Sequence, residues 1–217
     1  MDKKVLNDQT KHWENNFSSK PEMFGLDPSI SAKNALKFFQ KNNINNIVEF
    51  GAGLGRDTLF FAKNFIHVNA IDYSPSGIKV IKEKAKNQNL SKFISTQIFD
   101  VRKKLPFKDN SVEACFSHML YCMALTSVEI QFLNNEICRI LKPRGLNIYT
   151  VRNSTDGDYK KGIHRGESLY ENDGFIVHFF SKEKVNNLLQ GFQNIKIDNF
   201  EEGKFPRKLF FVYNKKI

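Results

Sequence analysis

The chain has 217 residues, a formal net charge of +10 and three cysteines. That length suits one α/β domain with a sizeable core. The scattered Cys115, Cys122 and Cys138 exclude a disulfide framework, and no run of about eighteen apolar residues predicts a membrane span. The lysines are spread out, often beside asparagine as in Lys82-Glu83-Lys84-Ala85-Lys86-Asn87. With no arginine-rich run or aromatic-basic platform, the charge argues for a solvated surface and against nucleic acid. Met1-Asp2-Lys3-Lys4-Val5 lacks the apolar core of a signal peptide, so a cytoplasmic location is expected, as a monomer or homodimer.

In chain order, Thr10 to Phe17 predicts a short helix carrying His12, Trp13 and Phe17, followed by a loop at Pro21-Glu22-Met23-Phe24-Gly25. Ser29 or Ser31 caps a helix to about Asn42, with Ala35, Leu36, Phe38 and Phe39 inward. Ile44 to Phe50 reads as a strand that runs into Gly51-Ala52-Gly53-Leu54-Gly55 and then a helix beginning near Thr58. Such a strand–glycine turn–helix brings bare backbone against a ligand, where a Cβ would block both the turn and the approach. Phe65 to Ile71 is a second strand ending in Asp72-Tyr73-Ser74-Pro75. Proline suits the first turn of the helix that follows, whose buried side is Ile78, Val80, Ile81 and Ala85. Phe93 to Phe99 is a third strand ending in Asp100, and Val112 to Phe116 a fourth ending at Ser117-His118.

Leu125 to Leu141 reads as a long helix, stopped at Lys142-Pro143-Arg144-Gly145, and Leu146 to Val151 as the fifth strand. A polar insertion, Asn153 to Asp173, is longer than most connections in compact domains. Phe175 to Phe180 predicts a short strand, and Ser181 caps a helix through Leu189. Ile195 to Asn199 and Leu209 to Tyr213, joined through Glu201-Glu202-Gly203-Lys204, read as an antiparallel hairpin at a sheet edge.

The glycine turn admits two nucleotide readings. A dinucleotide site has G-x-G-x-x-G and seats a pyrophosphate on the helix N-terminus. Here the spacing is G-x-G-x-G and Glu49 stands two residues before Gly51, where a carboxylate repels a pyrophosphate and attracts an ammonium. Asp72, about twenty residues after the glycines, is placed to accept ribose hydroxyls. Each of these acids alone could be a cap or a solvated turn; three of them end three successive apolar strands.

The E-x-G-x-G-x-G form resembles motif I of the class I S-adenosylmethionine (SAM) methyltransferases, and the L-K-P-x-G turn before the fifth strand resembles the same fold. The resemblance covers residues 30 to 215. It implies a Rossmann-like, doubly wound seven-stranded sheet, mostly parallel with an antiparallel last strand, in a single domain spanning 1–217. It implies a lid helix at about 8–25 and a substrate-loop insertion at about 152–174. It further implies SAM as cofactor. Glu49 takes the ammonium, Gly51, Ala52 and Gly53 carry the methionine part, and Asp72 holds the ribose. Tyr73 and Val101 flank the adenine, Asp100 binds its edge, and Ser117 completes the set. No metal site is expected.

Methyl transfer is an in-line displacement that needs alignment, exclusion of water and management of any acceptor proton. Ser117-His118-Met119-Leu120-Tyr121 are expected to face the methyl group, with His118 as candidate base. Candidate acceptor-binding residues are Trp13, Tyr121, Arg152, His164, Arg165 and Tyr170. Gly55 is expected to serve helix packing, Cys115 the core and Cys122 the pocket. His12-Trp13-Glu14, Phe24-Gly25 and Gly55-Arg56-Asp57 resemble the small tellurite-resistance and thiopurine methyltransferases. That points to a small acceptor such as a thiol, a chalcogen oxyanion or an amine. The Asp/Asn-Pro-Pro-Tyr/Phe signature of nucleobase amino methylation is absent after strand four. An RNA methyltransferase using the basic surface and a non-catalytic SAM-binding sensor or subunit stand as the alternatives.

Overall fold

The structure, a computed structural model, describes residues 2–203 and 207–217. Helix α1 (Lys3–Ser19) and helix α2 (Ile30–Lys41) precede strand β1 (Asn46–Phe50). Helix α3 (Arg56–Lys63), β2 (His67–Asp72), α4 (Pro75–Asn87), β3 (Ile94–Ile98) and β4 (Val112–His118) follow. Then come α5 (Ser127–Ile140), β5 (Leu141–Arg152), β6 (Ile163–Gly166), β7 (Leu169–Asn172), β8 (Phe175–His178), α6 (Lys182–Asn187), β9 (Phe192–Glu202) and β10 (Arg207–Lys216).

Seven strands form one sheet in the order β3-β2-β1-β4-β5-β10-β9. Strands β1 to β5 pair in parallel, and β10 runs antiparallel to both neighbours, β5 and β9. This is the expected doubly wound architecture with an antiparallel last strand. Alternate side chains of each strand supply two cores, as strands buried on both faces require. Ile47, Ala114, Phe116, Ile148 and Phe211 pack under α2, α3 and α4 with Ala35, Phe39, Phe61 and Ile81. Val48, Cys115, Tyr149, Val151 and Val212 pack under α5 with Ile130, Leu133 and Ile137. Strand order reverses between β2-β1 and β1-β4, which opens a crevice at the carboxyl ends of the strands.

Caps set the helix starts. Of the two serines offered for α2, Ser29 is the cap, accepting from Ala32 N. Ser74 caps α4 with Pro75 in the first turn, and Thr126 with Glu129 makes a capping box on α5.

Four expectations are corrected. The first helix starts at Lys3 rather than Thr10, because Asp2 caps it. The fifth strand begins at Leu141, with Pro143 to Gly145 in a bulge opposite Val112 and Ala114. The polar insertion is no open loop: β6, β7 and β8 make a separate three-stranded antiparallel sheet. The last two strands extend to Phe192–Glu202 and Arg207–Lys216, and Lys204 of the expected turn lies outside the described residues. Among the described residues no helix is long and apolar enough to cross a membrane.

Candidate functional site

The glycine turn sits at the end of β1, in the crevice. Gly51 and Gly53 have φ of 70° and 56°, a left-handed backbone that favours glycine. The turn is pinned to β2: Gly51 N and Ala52 N both donate to Ile71 O, and Gly53 N donates to Asp72 Oδ2 at 2.8 Å. Gly55, at φ 80°, precedes α3, and a Cβ there would lie 2.5 Å from Ile81 Cγ1. Its absence lets α3 and α4 close together, the packing role expected from the sequence.

Buried acids gather beneath this turn. Glu49 accepts from Thr58 Oγ1 at 2.6 Å. Burial, reinforced by the Asp57 and Asp72 carboxylates, pushes it well above the usual carboxylate range. Asp72 accepts from Ser74 N at 2.9 Å as well as from Gly53 N; burial still raises its pKa against those bonds. Each Asp72 oxygen retains a lone pair for a hydroxyl. Asp57 is raised by burial too and accepts from Ser29 N and Ser29 Oγ, each at 2.7 Å. Under-neutralised carboxylates below a glycine turn suit a ligand with a cationic end and a diol. Ser117 adds a buried hydroxyl with no hydrogen-bond partner among the described residues. SAM, with an ammonium, a sulfonium and a ribose, fits this donor and acceptor set.

The adenine end is less open than the sequence suggests. Tyr73 is half-buried and Val101 buried. Asp100 is held by Arg102, whose Nε donates at 3.0 Å and Nη2 at 2.7 Å. Burial works against the Asp100 charge, but these bonds win and lower its pKa. A ligand amino group must therefore share Asp100 with Arg102.

Helix α1 lies across the turn. Phe17 is 3.5 Å from where a Gly53 Cβ would be, and Glu14 accepts from Ser74 Oγ, Ser76 Oγ and Ser76 N at the start of α4. Trp13 stacks among Phe17, Phe24 and Phe175. Gln9 ties α1 to the small sheet through Gly174 O and Ile176 N. On the far side, Leu120 lies 3.1 Å from the Gly51 Cβ position.

Several candidate acceptor residues are committed elsewhere. Tyr121 is wholly buried, stacked on Tyr149 with ring centroids 4.4 Å apart; it belongs to the core, not the pocket. Cys122 is equally buried and its thiol pushed up to about 11 by burial, which corrects its placement in the pocket. Arg152 is buried over Phe179 with its charge met by Asp156 and Asp158, leaving none for an anionic acceptor. Arg165 is paired with Glu171. His164 is exposed, stacks on Tyr170 and reaches Glu167 O. His164 and Arg165 line a cavity of about 300 Å³ with Asp2, Val5 and Leu6, at the outer end of α1. Tyr170 packs edge-on against Tyr159.

His118 turns toward α2. Its Nδ1 lies 2.8 Å from Ser31 Oγ and 3.0 Å from Thr150 Oγ1, and its Nε2 is 3.5 Å from Glu202 Oε2. Burial, with Arg56 and Arg207 adding to it, pushes its pKa down to about 3. The imidazole is therefore neutral near pH 7 and resists taking up a proton. The sequence reading met Glu14 only in a motif, Ser31 only as a candidate cap and Glu202 only in a turn, and placed none of them in the site.

Residues 48–149 match a family model described as a methyltransferase domain. Over 149 residues the chain is 35% identical to phosphoethanolamine N-methyltransferase 1 of Triticum aestivum, covering 67% of this chain but 26% of that protein. The chain thus spans about a quarter of that relative's length. Among solved structures, a Burkholderia thailandensis 1,6-didemethyltoxoflavin-N1-methyltransferase with bound S-adenosylhomocysteine superposes with a TM-score of 0.74 at 14% identity, covering 96% of this chain and 87% of that one. TehB from Haemophilus influenzae gives 0.67 at 14% identity, covering 94% and 67%. At such identities these two structures speak for the fold.

Proposed function

We propose that the chain is a class I SAM-dependent methyltransferase that methylates the nitrogen of a small-molecule amine. The observation that carries the cofactor half is the cluster of raised, buried carboxylates, Glu49 and Asp72, beneath the glycine turn of residues 51–53. The amine is favoured over a thiol or an oxyanion by the sequence relative, an N-methyltransferase. It is also favoured by the arginines Arg152 and Arg165, which are already neutralised and so are poor anion holders.

When bound, SAM supplies an activated methyl on a sulfonium. Glu49 would hold its ammonium and Asp72 its ribose, while the residue 51–53 backbone, with no Cβ at Gly51 or Gly53, gives it room. Tyr73 and Val101 would flank the adenine, with Asp100 sharing its edge. Helix α1, through Trp13 and Phe17, would exclude water from the reacting atoms. An amine needs a free lone pair to attack. His118, the base expected from the sequence, is a poor proton acceptor, with its pKa pushed down to about 3 and its ring nitrogens facing Ser31, Thr150 and Glu202, so the amine must arrive already unprotonated.

Calorimetric titration with SAM, S-adenosylhomocysteine and NAD tests the cofactor; micromolar binding of the first two and none of NAD is expected. A radiolabelled-methyl screen of ethanolamine-type amines, thiols and oxyanions then tests the acceptor. Turnover confined to thiols would overturn the amine, and silence toward SAM would overturn the whole reading.

A further inference from the structure

A chain of polar groups runs behind the site and ends in two carboxylates. Asp57 Oδ2 accepts from Ser29 Oγ, Ser29 Oγ and Ser31 Oγ are 2.8 Å apart, and Ser31 Oγ is 2.8 Å from His118 Nδ1. His118 Nε2 then faces Glu202 Oε2, a buried oxygen with no hydrogen-bond partner among the described residues. Ser29 and Ser31 are wholly buried. The members come from α2 and its cap, α3, β4 and β9, so only the completed fold brings them together.

Proton counting constrains what this chain can do. A hydroxyl has one hydrogen and can both give and accept; a neutral imidazole has a hydrogen on one nitrogen only. If Glu202 is protonated, its O–H points at Nε2, the imidazole hydrogen sits on Nδ1, and both hydroxyls point toward an ionised Asp57. If Glu202 loses its proton to solvent, Nε2 carries the imidazole hydrogen and donates to the carboxylate, Nδ1 accepts from the Ser31 hydroxyl, and Ser29 goes on donating to an ionised Asp57. The two settings differ by one proton. Passing between them breaks one O–H bond at Glu202 and hands that proton to water, so pH selects between them.

We propose that Glu202 is a positioning residue that selects the tautomer of His118 and, through Ser31 and Ser29, links it to Asp57 under the cofactor turn. That the turn holds a cofactor rests on the methyl-transfer reading; the tautomer switch does not. Charged and titratable groups facing the pair are few. Arg56 Nη2 of α3 stands 3.6 Å from Glu202 Oε1, Arg207 of β10 acts on both groups and Asp57 of α3 on Glu202. From α2 only Ile30 N reaches Glu202, at 3.2 Å, and from β5 only the Thr150 hydroxyl reaches His118. Burial raises the Glu202 pKa, which brings its two states closer to neutral pH.

The test is nitrogen-15 NMR of the full chain with labelled histidine, recorded from about pH 5 to about pH 8, where an unperturbed histidine would itself titrate. The His118 resonances should exchange between the Nδ1–H and Nε2–H patterns as the Glu202 carbon-13 carboxyl signal titrates. Glu202→Gln should abolish that pH-dependent exchange. Its turnover should fall about tenfold and its pH profile change shape, while the acceptor KM and SAM affinity stay within about twofold. A wild-type imidazole that keeps one tautomer while Glu202 titrates overturns the inference, whatever the variant does. Loss of SAM binding in the wild type would overturn the methyl-transfer reading and leave the NMR result standing.

Discussion

Gly55 shows how one missing carbon sets the site. A methyl placed there would sit 2.5 Å from Ile81 Cγ1, at a φ of 80° that L side chains rarely adopt. Gly55→Ala must therefore strain the backbone and push α3 from α4. We expect a stability loss of about 1–3 kcal/mol in urea unfolding; a loss under about 0.5 kcal/mol would mean that the contact relaxes freely. Glu49 acts through charge instead. Raised by burial and by two neighbouring carboxylates, it tends to hold a proton until a cation arrives. Binding an ammonium there should release that proton, so SAM affinity should rise as pH rises toward the Glu49 pKa of the free protein. Calorimetry in buffers of different ionisation enthalpy reads the released proton. Glu49→Gln should bind at least about tenfold more weakly, a loss of about 1.4 kcal/mol, and release fewer protons; unchanged proton release would assign the proton to another acid.

At the scale of elements, α1 is held on the site by Glu14, Gln9 and the aromatic cluster around Trp13. Glu14 meets the serines at the start of α4, where an anion is also favoured by the unpaired amides of the first turn. Those hydrogen bonds outweigh burial and keep the carboxyl below its usual range. Glu14→Ala should free α1, raising the SAM dissociation rate several-fold by stopped-flow fluorescence of Trp13, the single tryptophan. A dissociation rate equal to wild type would show that the helix stays docked without Glu14. The main elements were legible because their signals are local: apolar runs for β1 to β4, Ser74-Pro75 for α4, Pro143 and Gly145 after α5. What escaped depends on how side chains meet in the folded chain, near or far in sequence. The insertion reads as polar because the strands in and just after it are short and mostly exposed or half-exposed, with Leu169, Ile176 and His178 alone buried in them. Arg152 reads as a free cation until Asp156 and Asp158 fold back onto it, and Tyr121 reads as a site residue until Tyr149 of β5 stacks on it. The glycine turn and its acids, by contrast, are carried by residues within one βαβ unit.

For the molecule as a whole, two buried histidines set an acid limit. His118 is lowered to about 3 and His178 to about 4, both chiefly by burial. His178 Nδ1 donates to Leu125 O at 2.7 Å, so its Nε2 is left to accept from Lys184 Nζ. A second proton on that ring would face the ammonium directly. The unfolded chain protonates histidine near pH 6.5, so below that value it binds protons the fold refuses. Their contribution to stability is therefore complete above about pH 6.5 and is lost as pH falls toward the folded values. Glu49, Asp57, Asp72 and Glu202 have the opposite sign. Their raised carboxyls contribute in full below the unfolded pKa, and that contribution is lost as pH rises through the folded values. Stability thus declines on both sides, and His178 can be isolated on the acid side because it lies outside the cofactor crevice, between β8 and α6. His178→Gln should be less stable than wild type near neutral pH, since the bond to Leu125 O and the packing on Phe180 are disturbed. Yet its stability should fall less steeply between about pH 6 and about pH 4, because one proton-refusing group is gone. Urea unfolding across that range measures both effects. Parallel curves for wild type and variant would remove His178 from the acid limit.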